Sequence, residues 1–113
     1  MKIKDAVTKL TSLAQESRLE TFRLLAKAGP EGMAAGEIAQ HLEVPPATMS
    51  FHLNQLRNAG LIESRRESRS IIYALRTEEI RELLGFITDE CCGGNPELCM
   101  PVVDLSQCYD KES

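Results

Sequence analysis

Residues 35–75 read AGEIAQHLEVPPATMSFHLNQLRNAGLIESRRESRSIIYAL. In AAGEIAQHL (34–42), Ile38, Ala39 and Leu42 form the apolar side of a short helix, and EVPP breaks it. Proline has no N–H to lose in a first helical turn, so the next helix is expected from Pro46 to about Ala59. Within it Met49, Leu53 and Leu56 fall at i, i+4 and i+7, a buried stripe, and Gly60 is placed to end it. The period then changes from 3.6 to 2. LIESRRE and SRSIIYAL read as two strands joined by a turn near Glu67–Arg69. Helix, short turn, helix and basic hairpin make a winged helix-turn-helix, mainly α with a small β-hairpin.

The flanks extend the helical pattern. KDAVTKLTSLAQ (4–15) places Val7, Leu10 and Leu13 on one face. A second helix is expected with Ser17 as its cap and Glu20 completing a capping box, with Leu19, Phe22, Leu25 and Ala26 inward, ending at Gly29-Pro30. After the hairpin, TEEIRELLGFITDE (77–90) returns to helix. Thr77 is the expected N-cap, and Ile80, Leu83, Leu84 and Ile87 form an apolar stripe. Residues 1–90 then form the winged helix-turn-helix domain, and 91–113 a cysteine-containing acidic tail.

Composition narrows the function. The chain has 113 residues, which suits one domain, and its aromatic content of 4% without Trp suits an aliphatic helical core. No run approaches the ~20 apolar residues of a membrane span, and MKIKDAVTKL lacks the apolar core of a signal peptide. The expectation is a cytoplasmic protein with no membrane partner, in which cysteines serve as ligands or reactive thiols rather than disulfides. Net charge is −4, but residues 89–113 carry six acidic groups against Lys111 alone. Residues 45–76 hold five arginines against Glu63 and Glu67, so the middle of the chain is locally basic. Local charge governs phosphate contact.

The faces of the 46–59 helix away from its core stripe carry Ala47, Thr48, Ser50, Phe51, His52, Asn54 and Gln55. These small, hydroxyl and amide groups suit phosphates and base edges in a major groove. Phe51 is apolar outside the stripe and suits either a thymine methyl or a small satellite core. Arg65, Arg66 and Arg69 at the hairpin can follow a backbone or enter a minor groove. A charge run alone is a solvated turn; coupled to the preceding helix pair it reads as DNA contact. A protein-interaction winged helix would not need the three arginines together. His41 and His52 are read as a helix-end and a recognition-helix residue, not as metal ligands.

These segments, with LAQESRLETFRLLAKAG (13–29) and ELLGFI (82–87), resemble the ArsR/SmtB family of metal-responsive repressors over about residues 5–88. The run Ser50-x-His52-Leu53-x-x-Leu56-x-x-Ala59-Gly60-Leu61-Ile62 is close to the family's recognition-helix signature. The resemblance implies a homodimer on the first and last helices that represses an operon until an inducer binds. The apolar stripes Val7/Leu10/Leu13 and Ile80/Leu83/Leu84/Ile87 agree, being more apolar surface than so small a monomer easily hides. Two recognition helices would read double-stranded operator half-sites about one helical turn, ~10 bp, apart.

One family metal site, a cysteine cluster at the start of the helix-turn-helix, matches MAAGEIAQHL here, which has no cysteine. Another, an Asp/His/Glu zinc site on the last helix, meets a helix without histidine. What remains is DECCGGNPELCMP (89–101), with Cys91, Cys92 and Cys99, and a further Cys108. Vicinal cysteines suit a structural zinc site poorly, since that uses C-x₂₋₄-C spacing. Gly93-Gly94 and Pro96 allow Cys99 to return to the pair, and three thiolates suit a soft centre. The vicinal pair plus one also resembles the family's C-terminal arsenic-responsive variant. Trivalent arsenic at Cys91, Cys92 and Cys99, with antimony beside it, is therefore the first reading, and no organic cofactor is expected. A methylated arsenical on two thiols, cadmium, lead or zinc with Cys108 as fourth ligand, and a redox or sulfide switch are the others. A small thiol metal carrier on the same fold is the competing class. No local nucleophile–base pair supports an enzyme.

Overall fold

The computed structural model describes residues 1–88. Five helices and a three-stranded antiparallel sheet follow one another as α1 (Ile3–Leu13), α2 (Glu16–Ala28), a 3₁₀ turn (Gly29–Glu31), β1 (Met33–Ala34), α3 (Ala35–Leu42), α4 (Pro46–Asn58), β2 (Ile62–Glu67), β3 (Ser70–Leu75) and α5 (Thr77–Ile87). The fold is the winged helix-turn-helix expected. The Cys91, Cys92, Cys99 and Cys108 thiols and the division between domain and tail at residue 90 lie outside the described residues.

The core forms where α4 meets α2, α3 and the root of the hairpin. Leu25, Ile38, Met49, Leu53, Leu56, Leu61 and Ile62 are fully buried. Each such side chain contributes about 1.5–3 kcal/mol by leaving water. Thr21 is buried with them; its hydroxyl donates to the Ser17 carbonyl at 2.7 Å and lies 3.8 Å from Met49 Sδ. The polar group is thus satisfied within its own helix.

Two cap assignments change. Gln15, not Ser17, caps α2: its Oε1 accepts the Arg18 N–H at 2.9 Å, and Ser17 lies inside the first turn. Thr77 is the first residue of α5 rather than its cap. The cap position belongs to Arg76, whose N–H donates to the Leu61 carbonyl at 2.9 Å and ties α5 to the turn after α4. Leu19, expected inward, is exposed.

The helix-turn-helix joint is tight. α3 ends at Glu43, which adopts a left-handed conformation (φ 54°) usually left to glycine. The Val44 N–H then donates to the Ala39 carbonyl at 3.0 Å before Pro45 and Pro46 start α4. Pro45 and Pro46 cannot continue α3, so the change of direction is forced locally.

The sheet order is β1-β3-β2, which leaves β2 at an edge. β1 pairs Met33 with Tyr73 and Ala34 with Ile72, and the two-residue loop Ser68-Arg69 joins β2 to β3. This third strand is too short to carry a pattern in the sequence. Gly32 sets it up: its φ is +71°, and a Cβ there would run into the Tyr73 carbonyl oxygen and lie 2.9 Å from Ile72 Cγ2.

The expected dimer stripes divide. On α1 the side turned to the body of the protein is Ala6, Lys9 and Ser12, while Val7 is 53% exposed and Leu10 is exposed. The small Ala6 lets α1 approach closely. The Lys9 ammonium, almost buried, pairs with Glu79 of α5 at 3.4 Å, beside Gly60. On α5, Leu83 is buried in the core and so is no surface contact, which corrects its place in the stripe. Leu13 and Ile80 pack on the core margin, Leu84 is half-buried, and Ile87 is 51% exposed.

Gly32→Ala is expected to lower the unfolding free energy by about 2 kcal/mol or more, because it adds left-handed strain to a backbone clash. A urea titration followed by far-UV circular dichroism measures it; an unchanged midpoint would show that the β1 approach is not needed.

Candidate nucleic-acid interface

α4 sits on the body through one face, and that choice exposes the other. Met49, Leu53 and Leu56 are buried, as the spacing requires. Ala47, Thr48, Ser50, Phe51 and Asn54 are exposed, and Gln55 is half-buried. The first turn of α4 carries no acidic residue and no side-chain cap. Its leading N–H groups have no acceptor within the helix, and the positive end of the helix dipole reinforces them, an arrangement that favours phosphate. Phe51 is 55% exposed, so its ring does not close a satellite core; it lies at 6.0 Å and a 60° tilt from the His52 ring.

His52 is the exception among the expected contacts. It is only 7% exposed and belongs to the buried side of α4, so it is not a groove-facing residue. The reason is angular: His52 follows Met49 by three residues and precedes Leu56 by four, which places it over the core seam. Its Nδ1 and the Arg18 Nε are buried without hydrogen-bond partners among the described residues. Removal from water, and then the Arg18 cation, push the imidazole pKa below its ordinary value.

The hairpin arginines divide by strand register. Residues directly opposite in an antiparallel pair share a face. Ser64 opposes Tyr73 and Arg66 opposes Ile71, so these four lie on one side. Ser64 accepts from Arg57 Nη1 at 3.4 Å, and Arg57 Nη2 reaches Asn54 Oδ1 at 3.3 Å, so this is the side adjoining α4. Arg66 is exposed there, and Arg69 is exposed in the tip loop. Arg65 opposes Ile72 and lies on the other side. Its Nε donates to Glu67 Oε2 at 2.7 Å, and its Nη1 and Nη2 donate to the Pro30 and Glu31 carbonyls at 3.3 and 2.6 Å. Residue type alone does not single out Arg57 from the other arginines of the basic segment or separate Arg65 from its neighbours. Among the described residues no group of three or more His, Cys, Asp or Glu side chains converges as a metal site, and no helix is long and apolar enough to cross a membrane.

A helix presenting small polar side chains beside a basic two-stranded wing defines a winged helix-turn-helix DNA-binding protein. Comparison with known proteins supports and refines the class. The family described as a helix-turn-helix domain matches residues 13–65. The HTH-type transcriptional regulator YceK of Bacillus subtilis is 35% identical over 77 residues, 67% of this chain and 76% of YceK. The transcriptional activator HlyU of Vibrio cholerae is 29% identical over 90 residues, 80% of this chain and 81% of HlyU. An ArsR-like transcriptional regulator from a Rhodococcus species superposes with a TM-score of 0.66 at 25% identity, covering 89% of this chain and 91% of that one. The winged helix-turn-helix domain of a possible ArsR-family regulator from Mycobacterium bovis, described as homodimeric, superposes with a TM-score of 0.64 at 27% identity over 78% of this chain and 82% of that one. The chain belongs to the HTH-type transcriptional regulators, a DNA-binding class rather than an enzyme family, and ArsR-like regulators share its fold.

The buried His52 gives a pH test. Its proton is disfavoured in the fold, so the unfolded chain binds a proton first as pH falls. Stability is therefore retained above the ordinary imidazole value of about 6.5 and declines below it. The urea midpoint is expected to fall between pH 7.5 and 5.5 in the wild type, with a smaller fall in His52→Gln. Equal slopes in the two proteins would remove His52 as the cause.

Proposed function

We propose that the chain is a homodimeric transcriptional repressor that leaves its operator when trivalent arsenic, or antimony, is bound by Cys91, Cys92 and Cys99. The DNA half of this reading is carried by one observation: the exposed face of α4 adjoins, through Asn54, Arg57 and Ser64, the side of the wing that carries the exposed Arg66. Thr48, Ser50 and Asn54 supply hydroxyl and amide groups for base edges, Phe51 an apolar contact, and the arginines phosphate or minor-groove contacts. A repressor fits a relative such as SdpR of Bacillus subtilis, named a transcriptional repressor and 30% identical over 66 residues.

The dimer is supported by the apolar residues that α1 and α5 leave exposed. Ile3 is 66% exposed, and Val7, Leu10 and Ile87 add to it. Exposed apolar residues grouped in this way mark an interaction surface, and the similar M. bovis domain is described as homodimeric. Two copies would then present two α4 helices to half-sites about 10 bp apart.

The inducer half rests on donor chemistry. All four cysteines follow α5, and residues 1–88 contain none. Thiolates select soft, thiophilic ions, and binding displaces their protons, so affinity rises with pH through the thiol range. A site that starts directly after α5 is attached to a helix of the proposed dimer surface. Binding there would change the packing of the two copies and the spacing of the α4 pair. A coupling of ~1–3 kcal/mol, roughly five- to 150-fold in operator affinity, is the usual scale for such regulation. By reciprocity, operator DNA would weaken arsenic binding by the same factor.

The test uses a duplex selected by the full chain from a random library and labelled for anisotropy. Log affinity is expected to fall steeply with log salt concentration, in proportion to the phosphates contacted. Saturating arsenite is expected to weaken wild-type binding at least about tenfold. Cys91→Ser, Cys92→Ser and Cys99→Ser should bind DNA and ignore arsenite, while Cys108→Ser responds normally. Unchanged affinity with arsenite but release by cadmium, lead or zinc would replace the inducer. No salt-dependent DNA binding at all would favour a metal carrier.

A further inference from the structure

We infer that Arg65, although part of the basic hairpin, is a positioning residue that anchors the wing to the protein body and does not contact DNA. The inference rests on reading the wing as a DNA-contacting element.

The root of the hairpin is held by the core, with Ile62, Tyr73 and Ala74 buried, but residues 65–71 toward its tip are exposed and need an anchor of their own. β2 lies at the sheet edge, and β1 supports β3 through only two residue pairs, Met33–Tyr73 and Ala34–Ile72. Arg65 stands on β2 opposite Ile72 of β3, on the side away from α4. From there its guanidinium reaches the 3₁₀ turn that follows α2. Nη2 donates to the Glu31 carbonyl at 2.6 Å and Nη1 to the Pro30 carbonyl at 3.3 Å. Nε donates to Glu67 Oε2 at 2.7 Å on its own strand. All three nitrogens of the group are thus engaged with the protein. Its charge is partly neutralised by Glu67, and a phosphate would have to displace contacts already made.

The same turn leads into Gly32, which packs against the Tyr73 carbonyl. The Arg65 fork and the Gly32 approach therefore grip the hairpin from two adjacent points, one on β2 and one on β3. The planar guanidinium is suited to span two successive carbonyls and a carboxylate; an ammonium is a single point charge and is not. Arg66, exposed as Arg65 is, lies instead on the side that adjoins α4.

The full chain is compared as wild type, Arg65→Lys, Arg65→Met and Arg66→Met, on the library-selected duplex, across a salt series. Arg65→Lys and Arg65→Met are expected to lose affinity to a similar extent, roughly threefold to tenfold, with the salt slope of wild type. Arg66→Met should lose affinity and also about one unit of slope, the mark of a lost phosphate contact. Amide exchange of Arg66 and of residues 69–72 should quicken in both Arg65 variants while Leu53 and Leu56 stay protected, which shows that the core remains folded. Wild-type affinity in Arg65→Lys, or a slope reduced in Arg65→Met, would overturn the inference in favour of a phosphate contact. Wild-type affinity in both Arg65 variants overturns it equally. Wild-type behaviour of Arg66→Met would instead count against the wing as a DNA contact.

Discussion

The seating of α4 is the constraint on which the rest of the molecule depends. Met49, Leu53 and Leu56 occupy one side of a thirteen-residue helix and pack into the centre of the core. With that side committed, rotation of α4 about its axis is no longer free, and the residues offered to solvent follow. The close packing of interiors makes this a discrete choice: a helix turned by one residue position would bury Ser50 or Asn54 without partners and expose Leu53. The seat is built by residues distant in the chain. Leu25 and Thr21 come from α2, Ile38 from α3, and Leu61 and Ile62 from the hairpin root.

Around that seat the connections form two groups. One runs from the end of α4 toward α1 and α5. The Arg76 N–H to Leu61 carbonyl bond and the Lys9–Glu79 ion pair meet beside Gly60. The other runs from α4 into the wing through Arg57 and Ser64, and from the wing back to the body through Arg65. The protein thus holds its recognition helix between the surface proposed for dimerisation and the surface that carries the wing arginines.

Where the sequence was legible, a pattern was long enough to show. The α3 and α4 spacing, the two prolines between them, and the shift to period 2 at Leu61 all mark their elements. β1 escaped because two residues carry no period; it exists through Gly32 and the backbone of β3. Ser17 resembled a cap by residue type, but Gln15 with its longer side chain reaches the Arg18 N–H. On α1 the inward side uses Ala6 and Lys9, so hydrophobicity pointed to Val7 and Leu10 for one surface while packing used another. The chemistry of His52 suits a groove, but its position relative to Met49 and Leu56 places it over the seam. Arginines 65, 66 and 69 were recognisable as a wing, but strand register, which alternates faces, was needed to distinguish their roles.

The position of β2 has a consequence unrelated to DNA. A six-residue strand with one unpaired side is a template for adding a strand from another molecule. Here that edge carries Glu63, Arg65, Arg66 and Glu67, four charges in five residues. A second β2 laid alongside in antiparallel or parallel register would have to desolvate several of them. The wing's charge pattern therefore also acts as a guard against sheet-to-sheet aggregation, and replacing its arginines with apolar residues would weaken that guard whatever it did to the operator.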